Sequence, residues 1–194
     1  VKTVLYGRTI YNNIRKFIVF QLTINISAVL IALIGPFIGM GTPLSVTQML
    51  WVNIVMDTLA ALALGGEPAL DRYMDEKPKR RDESIISKNM WSSLLVMGIY
   101  LTTASLVFLQ HPFFQSLFRL DGEMVYEGHD IYFMTGFFCF YVLSAMLNGF
   151  NARTEKLNIF DNITQNKMFL YIMALIAVVQ VLMTFIGGPI LRTA

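Results

Sequence analysis

The chain has 194 residues, of which 55% are hydrophobic and 14% are charged, and its formal net charge is +2. This balance argues against a nucleic-acid-binding domain, which needs a concentrated basic surface. The high apolar content argues against a disordered chain. A single cysteine, Cys139, excludes an internal disulfide and a zinc site built from cysteines. The mean hydropathy of +0.57 is typical of a membrane protein.

Apart from Asp57, charged residues are confined to blocks that alternate with apolar stretches. A membrane-spanning helix needs about 20 mostly apolar residues, and the first charge-free stretch, 17–56, has 40. Gly35-Pro36 and the glycines that follow predict a turn within it. We therefore predict an all-α polytopic transmembrane bundle. Its five spans lie roughly at 17–38, 45–65, 90–110, 131–150 and 168–187.

The basic residues predict the orientation of the spans. Thirteen of the fifteen Lys and Arg residues lie before the first span or in the 66–89 and 151–167 segments. These three segments fall on one side of a five-span bundle, and cytoplasmic loops carry an excess of Lys and Arg. We therefore expect the N-terminus to be cytoplasmic.

Asp57 is the only acidic residue inside a predicted span. An ionised carboxylate near mid-membrane costs about 3 kcal/mol or more, and no Lys or Arg within the spans could pair with it. Asn53 lies one helical turn earlier on the same face, and Asn25 lies at a similar depth on the preceding span. Carboxylate and carboxamide oxygens suit Ca²⁺ or Mg²⁺. The sequence thus predicts a metal site of Asp57, Asn53 and Asn25.

Two alternatives give these residues a structural role. Asp57 could be protonated in a membrane scaffold that transports nothing. Asn25, taken alone, is typical of an amide that joins helices by a hydrogen bond. A site of three side chains also needs further oxygens, because Ca²⁺ takes six to eight ligands.

The segment 48–60, with the sequence QMLWVNIVMDTLA, closely resembles the sixth transmembrane helix of P-type calcium-transporting ATPases. The segment from Gly7 to Phe17 resembles the stalk that enters the fifth helix, and Asn151-Ala152-Arg153 resembles the loop after the eighth. Ala28 and Met56 stand where the reticulum type has Glu and Thr. Both differences make the chain most similar to the plasma-membrane type.

The resemblance implies that the chain is the carboxy-terminal transmembrane region, helices five to nine, of an ATP-driven Ca²⁺ export pump in the plasma or cell membrane. It implies Ca²⁺ as the transported ion, with Asp57, Asn53 and Asn25 among its ligands. We expect no catalytic residue here, because no Asp matches the Asp-Lys-Thr-Gly-Thr phosphorylation motif and no Gly-rich phosphate loop occurs.

The same resemblance implies where the other components lie. ATP and Mg²⁺ would bind in cytoplasmic domains outside this chain, so this region alone should be inactive. The implied partners are the lipid bilayer and a cytoplasmic phosphorylation domain. The 67–88 loop, with Asp71, Arg72 and Asp75, and the 1–16 stalk would contact that domain. No nucleic-acid partner is expected.

Two other transport functions stay open. Secretory-pathway calcium/manganese pumps share the pattern of Asn53 and Asp57 but often lack the Asn that matches Asn25. A passive cation channel or a secondary transporter would also use an intramembrane Asp, although the halves of this chain show no internal repeat of the kind that many such transporters carry.

Overall fold

The computed structural model describes residues 2–75, 84–118, 125–126, 129–154 and 163–193. Residues 76–83 of the 67–88 loop therefore lie outside the described part. The described residues form eight α-helices: α1 Lys2–Ile34, α2 Val46–Trp51, α3 Asp57–Gly65, α4 Lys88–Gln110, α5 Pro112–Leu117, α6 Ile131–Arg153, α7 Lys167–Ile186 and α8 Gly188–Leu191. A π-helical turn, Val52–Met56, joins α2 to α3.

Shorter elements complete the described chain. Three turns of 3-10 helix lie at Gly35–Ile38, Asp71–Met74 and Ile163–Gln165. The two-residue strands β1 Val125–Tyr126 and β2 His129–Asp130 pair in antiparallel fashion.

Five helical segments are long and apolar enough to cross a membrane, which confirms the predicted all-α bundle of five spans. They are Lys2–Ile38, Val46–Gly65, Lys88–Gln110, Ile131–Arg153 and Lys167–Ile186. The first segment begins well before residue 17, because the polar residues at its start continue the same helix. The second segment is interrupted by the π-helical turn, which the apolar pattern does not predict.

The predicted turn between the first two spans contains glycines with defined roles. Gly39 adopts a φ of +79°, in the left-handed region that favours glycine. A Cβ atom on Gly35 would lie 2.5 Å from the ring of Pro43, so the chain can reverse tightly there only without a side chain. Ser45 and Gln48 then form a reciprocal capping box that begins α2.

At each end of the bundle, a side-chain hydrogen bond joins two segments of the chain. At the end that contains residues 2–16 and 66–75, here called the charged end, Arg8 Nη1 donates to the carbonyl oxygen of Tyr73 at 2.6 Å. At the opposite end, Gln48 Nε2 donates to the carbonyl oxygen of Leu191 at 2.8 Å. Each bond joins segments that are far apart in sequence.

The centre of the bundle is apolar. Helix α1 packs against α3, α4 and α6, and α3 packs against α7. Phe20, Ile24 and Tyr141 are fully buried between these helices. Towards the end opposite the charged end, α4, α5 and α6 enclose an aromatic cluster, whose members are Phe108, Phe114, Phe118, Phe133, Phe137 and Phe140.

Candidate functional site

Polar residues line the contact between α1 and the second span. Asn13 Nδ2 donates to the carbonyl oxygen of Gly65 at 3.1 Å, and Gln21 Nε2 donates to Asp57 Oδ2 at 2.8 Å. From Asn13 to Gln21 the chain advances eight residues along α1, and from Gly65 to Asp57 the partner moves eight residues back along the second span. This pattern is that of two antiparallel helices whose alignment stays constant. A further four residues along each helix lead to Asn25 and Asn53, which line the same cleft.

The structure brings two of the three predicted ligands to one cavity. Asn25 and Asn53 both line a cleft of about 270 Å³ between α1 and the second span. Most of its other lining residues are aliphatic or Met, so the two amides are the polar groups that converge there together with Tyr141. Asn25 is half-buried, whereas Asn53 is exposed in this chain.

Asp57 lies beside this cleft and not in its wall. It is half-buried, one turn from Asn53 towards the charged end, and its Oδ2 atom accepts the hydrogen bond from Gln21. With a rise of about 1.5 Å per residue, the Gln21–Asp57 level is about 6 Å from the Asn25–Asn53 level. We refer to Gln21, Asn25, Asn53 and Asp57 as the polar seam.

Gln21 is the residue of this region that sequence reasoning missed. It lies one turn before Asn25 on α1, inside the same charge-free stretch. An amide at this spacing is the signal that could have indicated it, since residues four apart share a helix face. Its partner on the neighbouring helix could be identified only from the antiparallel register.

The π-helical turn lies between the two predicted ligands of the second span. It covers Val52–Met56, and the backbone N–H of Asp57 bonds to the carbonyl oxygens of Asn53 and Ile54. Turns of this kind replace i+4 with i+5 backbone bonding and occur frequently at functional sites. At the end of the turn, the bond from the N–H of Asp57 to the carbonyl oxygen of Asn53 is the α-helical one, so the two residues stay close to one helical turn apart.

Tyr141 of α6 forms a buried wall of the cleft. Its hydroxyl group lies 2.9 Å from Ser27 Oγ and donates to the carbonyl oxygen of Ile24 at 2.9 Å. The carbonyl of Ile24 immediately precedes Asn25, so α6 holds the backbone of α1 next to a predicted ligand. Ala145, one turn further along α6, is buried and has no polar side chain to contribute.

The donor set favours a hard cation that binds amide and carboxylate oxygens. Among the described residues, no group of three or more His, Cys, Asp and Glu side chains could hold a metal ion. A metal in the polar seam would therefore meet one carboxylate and amide oxygens. This set is unsuited to soft metals and leaves most of the six to eight positions of Ca²⁺ for other oxygens.

A family model described as cation transporting ATPase, C-terminus, matches residues 41–194. The chain belongs to the cation-transporting ATPase family. It corresponds to the carboxy-terminal region of these enzymes, and the matched residues include Asn53, Asp57 and the four spans that follow the first. With its five apolar helices, the chain is part of an integral membrane protein.

The chain is also similar to individual members of the family. It is 35% identical to calcium-transporting ATPase 8, plasma membrane-type, of Arabidopsis thaliana, with 96% of the chain and 17% of that protein aligned. It is 41% identical to calcium-transporting ATPase 12, plasma membrane-type, of the same plant, with 94% and 17% aligned. Plasma membrane calcium-transporting ATPase 1 of Mus musculus is 36% identical, with 97% and 16% aligned.

These relatives confirm the predicted resemblance to plasma-membrane-type calcium-transporting ATPases. The similarity extends over nearly the whole chain, including α1 with Gln21 and Asn25. The chain spans 16–17% of the length of the three relatives.

Proposed function

We propose that the chain is the carboxy-terminal membrane region of an ATP-driven Ca²⁺ export pump, and that Asp57, Asn53 and Asn25 are ligands of the transported ion. The observation that carries this proposal is the polar seam. Two amides from neighbouring spans line one cleft, and the single acidic residue of the described spans lies one turn away. The names of the relatives support Ca²⁺ as the ion.

Charge compensation supports a cation at this position. A carboxylate in a membrane span is costly, and Asp57 has an amide, not a basic side chain, as its hydrogen-bond partner. A divalent cation would neutralise the carboxylate. When the site is empty, the N–H group of Gln21 would partly compensate the charge and hold the carboxylate towards α1. Gln21 is therefore proposed as a positioning residue for Asp57.

The exposure of Asn53 supports a site that is completed by further helices. A side-chain amide that faced lipid would lack hydrogen-bond partners, and Asn53 is exposed in this chain. We propose that another helix of a longer pump covers Asn53 and contributes the remaining oxygens. The resemblance to calcium pumps implies a fourth helix with a Pro-Glu ligand motif for this role.

The remaining parts of the reaction belong to the proposal as well. ATP and Mg²⁺ would bind in cytoplasmic domains of the longer pump, so this region alone would not hydrolyse ATP. The phosphorylation domain would contact the 67–88 loop and the 1–16 stalk. The distribution of Lys and Arg supports a cytoplasmic N-terminus in a pump of the plasma or cell membrane.

The test is Asp57→Asn in the full-length protein, purified and reconstituted in lipid vesicles. We expect the apparent Ca²⁺ affinity for phosphoenzyme formation from ATP to fall at least about 100-fold, which corresponds to about 3 kcal/mol. The matched control is Asp130→Asn. Asp130 accepts a bond from the N–H of Tyr132 as the N-cap of α6, and Asn caps helices equally well.

Unchanged Ca²⁺ dependence in Asp57→Asn would contradict the ligand assignment and leave the polar seam as a packing element. Repeating the titration with Mn²⁺ separates two kinds of pump. Equal activation of phosphoenzyme formation by Ca²⁺ and Mn²⁺ would favour the secretory calcium/manganese type over the plasma-membrane type.

A further inference from the structure

A buried carboxylate lies at the charged end, well away from the polar seam. Glu67 follows the end of α3 by two residues and is 8% exposed. Asn166 Nδ2 donates to Glu67 Oε1 at 2.8 Å, and Arg153 Nη1 lies 3.4 Å from the same oxygen. Lys16 Nζ lies 3.9 Å from Glu67 Oε2. One side chain thus contacts α1, the end of α6 and the start of α7.

The surroundings of Glu67 are as buried as the carboxylate itself. Arg153 and Asn166 are each 3% exposed. A buried carboxylate is tolerated only where charges and hydrogen bonds compensate it, and here two cationic side chains and an amide do so. Asn166 also caps α7, since its Oδ1 atom accepts from the N–H of Phe169 at 2.9 Å. The position of Glu67 is therefore fixed from several helices at once.

The backbone at Glu67 is also bound to α1. Asn13 Nδ2 donates to the carbonyl oxygens of both Gly65 and Glu67, each at 3.1 Å. Asn13 is 3% exposed. Since Lys16 lies one turn after Asn13, α1 meets the end of α3 through two side chains on one face.

This contact and the polar seam depend on the same alignment of α1 with the second span. Gly65 is eight residues from Asp57, a distance of about 12 Å along the helix, and Asn13 is eight residues from Gln21. A slip of one residue between the helices would move the partners about 1.5 Å along the axis and turn them by about 100°. Such a slip would break the 2.8 Å bond between Gln21 and Asp57.

We infer that Glu67 is a remote positioning residue that sets the register of α1 against α3. Its carboxylate joins the end of α3 to Lys16, Arg153 and Asn166, beside the backbone bonds from Asn13. We infer that these contacts together place Gln21 opposite Asp57 and Asn25 opposite Asn53. The consequence for ion binding rests on the proposed function, whereas the register itself is a property of the helices and can be measured separately.

The first experiment measures the register by thiol cross-linking. In the full-length protein with its native cysteines replaced, the pair Gln21→Cys and Asp57→Cys is treated with a short bifunctional thiol reagent. The pair Gln21→Cys and Thr58→Cys reports a register shifted by one residue. We expect the first pair to cross-link at least about fivefold faster, and this preference to disappear when Glu67→Gln is added. A preference that survives Glu67→Gln would overturn the inference.

The second experiment measures ion binding in the reconstituted protein. We expect Glu67→Gln to weaken the apparent Ca²⁺ affinity of the folded molecules about tenfold. The matched control is Asp130→Asn, which removes one charge at the N-cap of α6, outside the 67–88 loop and the polar seam. A purely structural role would lower the amount of folded protein and leave the Ca²⁺ affinity of the folded molecules unchanged.

Two further variants keep the test decisive if Glu67→Gln folds poorly. Glu67→Asp keeps the charge but has a shorter side chain. We therefore expect a smaller loss of Ca²⁺ affinity than in Glu67→Gln. Arg153→Met should lower Ca²⁺ affinity by itself, but should add less than about threefold to the loss in Glu67→Gln, because the 3.4 Å contact is already absent there. Absence of both effects would contradict the inference.

The two proposals fail in different ways. If Asp57→Asn leaves the Ca²⁺ dependence unchanged while Glu67→Gln abolishes the cross-linking preference, the ion site is wrong and the register function of Glu67 stands. If Asp57→Asn abolishes the Ca²⁺ dependence and the cross-linking preference is independent of Glu67, the ion site stands and the inference about Glu67 is wrong.

Discussion

The polar seam and the aromatic cluster lie in one bundle but consist of opposite kinds of side chain. The seam joins α1 to the second span through amides and a carboxylate that are half-buried or exposed. The cluster joins α4, α5 and α6 through phenylalanine rings. Phe108 stacks on Phe114 and Phe140 with ring centroids 4.6 and 4.7 Å apart, and is 5% exposed.

The difference separates the two ways in which a membrane protein uses its side chains. Lipid is as apolar as leucine, so helices associate through close packing and interhelical hydrogen bonds. The aromatic cluster supplies packing and carries no chemistry. The seam places polar groups inside the membrane, where they are energetically unfavourable. Such groups usually mark a functional site. Changes in the cluster should therefore affect stability, and changes in the seam should affect ion dependence.

The largest effect on stability is expected from Phe108→Ala. The ring is the centre of the aromatic cluster, and its removal leaves a cavity between α4, α5 and α6. We expect the free energy of unfolding to fall by about 3 kcal/mol, measured by denaturant titration in mild detergent. The Ca²⁺ affinity of the folded fraction should stay within about twofold. A large loss of affinity without loss of stability would remove the distinction between the two regions.

A smaller effect is expected from Gly136→Ala in α6. A Cβ atom at this position would lie 2.6 Å from the ring of Phe118, so the ring must move. Overpacking of this kind costs about 1–3 kcal/mol, again measured by denaturant titration. The matched control is Gly7→Ala in α1, where a Cβ atom would meet no other atom within 4 Å. That control should be neutral or slightly stabilising, because Ala favours helix more than Gly does. Equal effects at both glycines would contradict the packing seen here.

Gln21→Met tests the seam. Met has a similar length but cannot donate to Asp57, so the carboxylate loses the partner that positions it. We expect the apparent Ca²⁺ affinity to fall about tenfold, or about 1.4 kcal/mol, with a smaller change in stability. Gln115→Met is the control. Gln115 donates to the carbonyl oxygen of Leu109 at 2.9 Å in the α4–α5 connection, so its loss should leave Ca²⁺ affinity unchanged.

The smallest effect on stability is expected from Tyr141→Phe. Tyr141 lines the cleft, and it lies on α6, which also carries part of the aromatic cluster. The variant keeps the wall of the cleft and removes the hydroxyl group that bonds to the carbonyl of Ile24. Ser27 Oγ still donates to the same carbonyl, so no acceptor is left unpaired. Interhelical hydrogen bonds in membranes average about 0.6 kcal/mol, and we expect a loss of stability of about that size with less than a threefold change in Ca²⁺ affinity. A tenfold or larger change would assign Tyr141 to the seam.

Much of the bundle could be predicted from the sequence because the signals are local. Five apolar segments and the turn at Gly35-Pro36 follow from residue type and spacing alone. The second span is predicted as one helix, and its π-helical turn is missed, because an apolar stretch does not report whether the backbone bonds to the fourth or the fifth residue. Asp57 stands out for a similar local reason, since it is the only acidic residue within a long apolar stretch.

Sequence alone determined that this chain crosses the membrane, that it resembles calcium pumps, and that Asp57, Asn53 and Asn25 are the residues to examine. Length, hydropathy and motif are properties of a single segment, and each can be evaluated without a neighbour. Only the tertiary structure decided which residues face one another. The pairing of Gln21 with Asp57 and the convergence of Arg153 and Asn166 on Glu67 depend on how helices are aligned, and alignment arises from contacts between segments that are far apart in the chain.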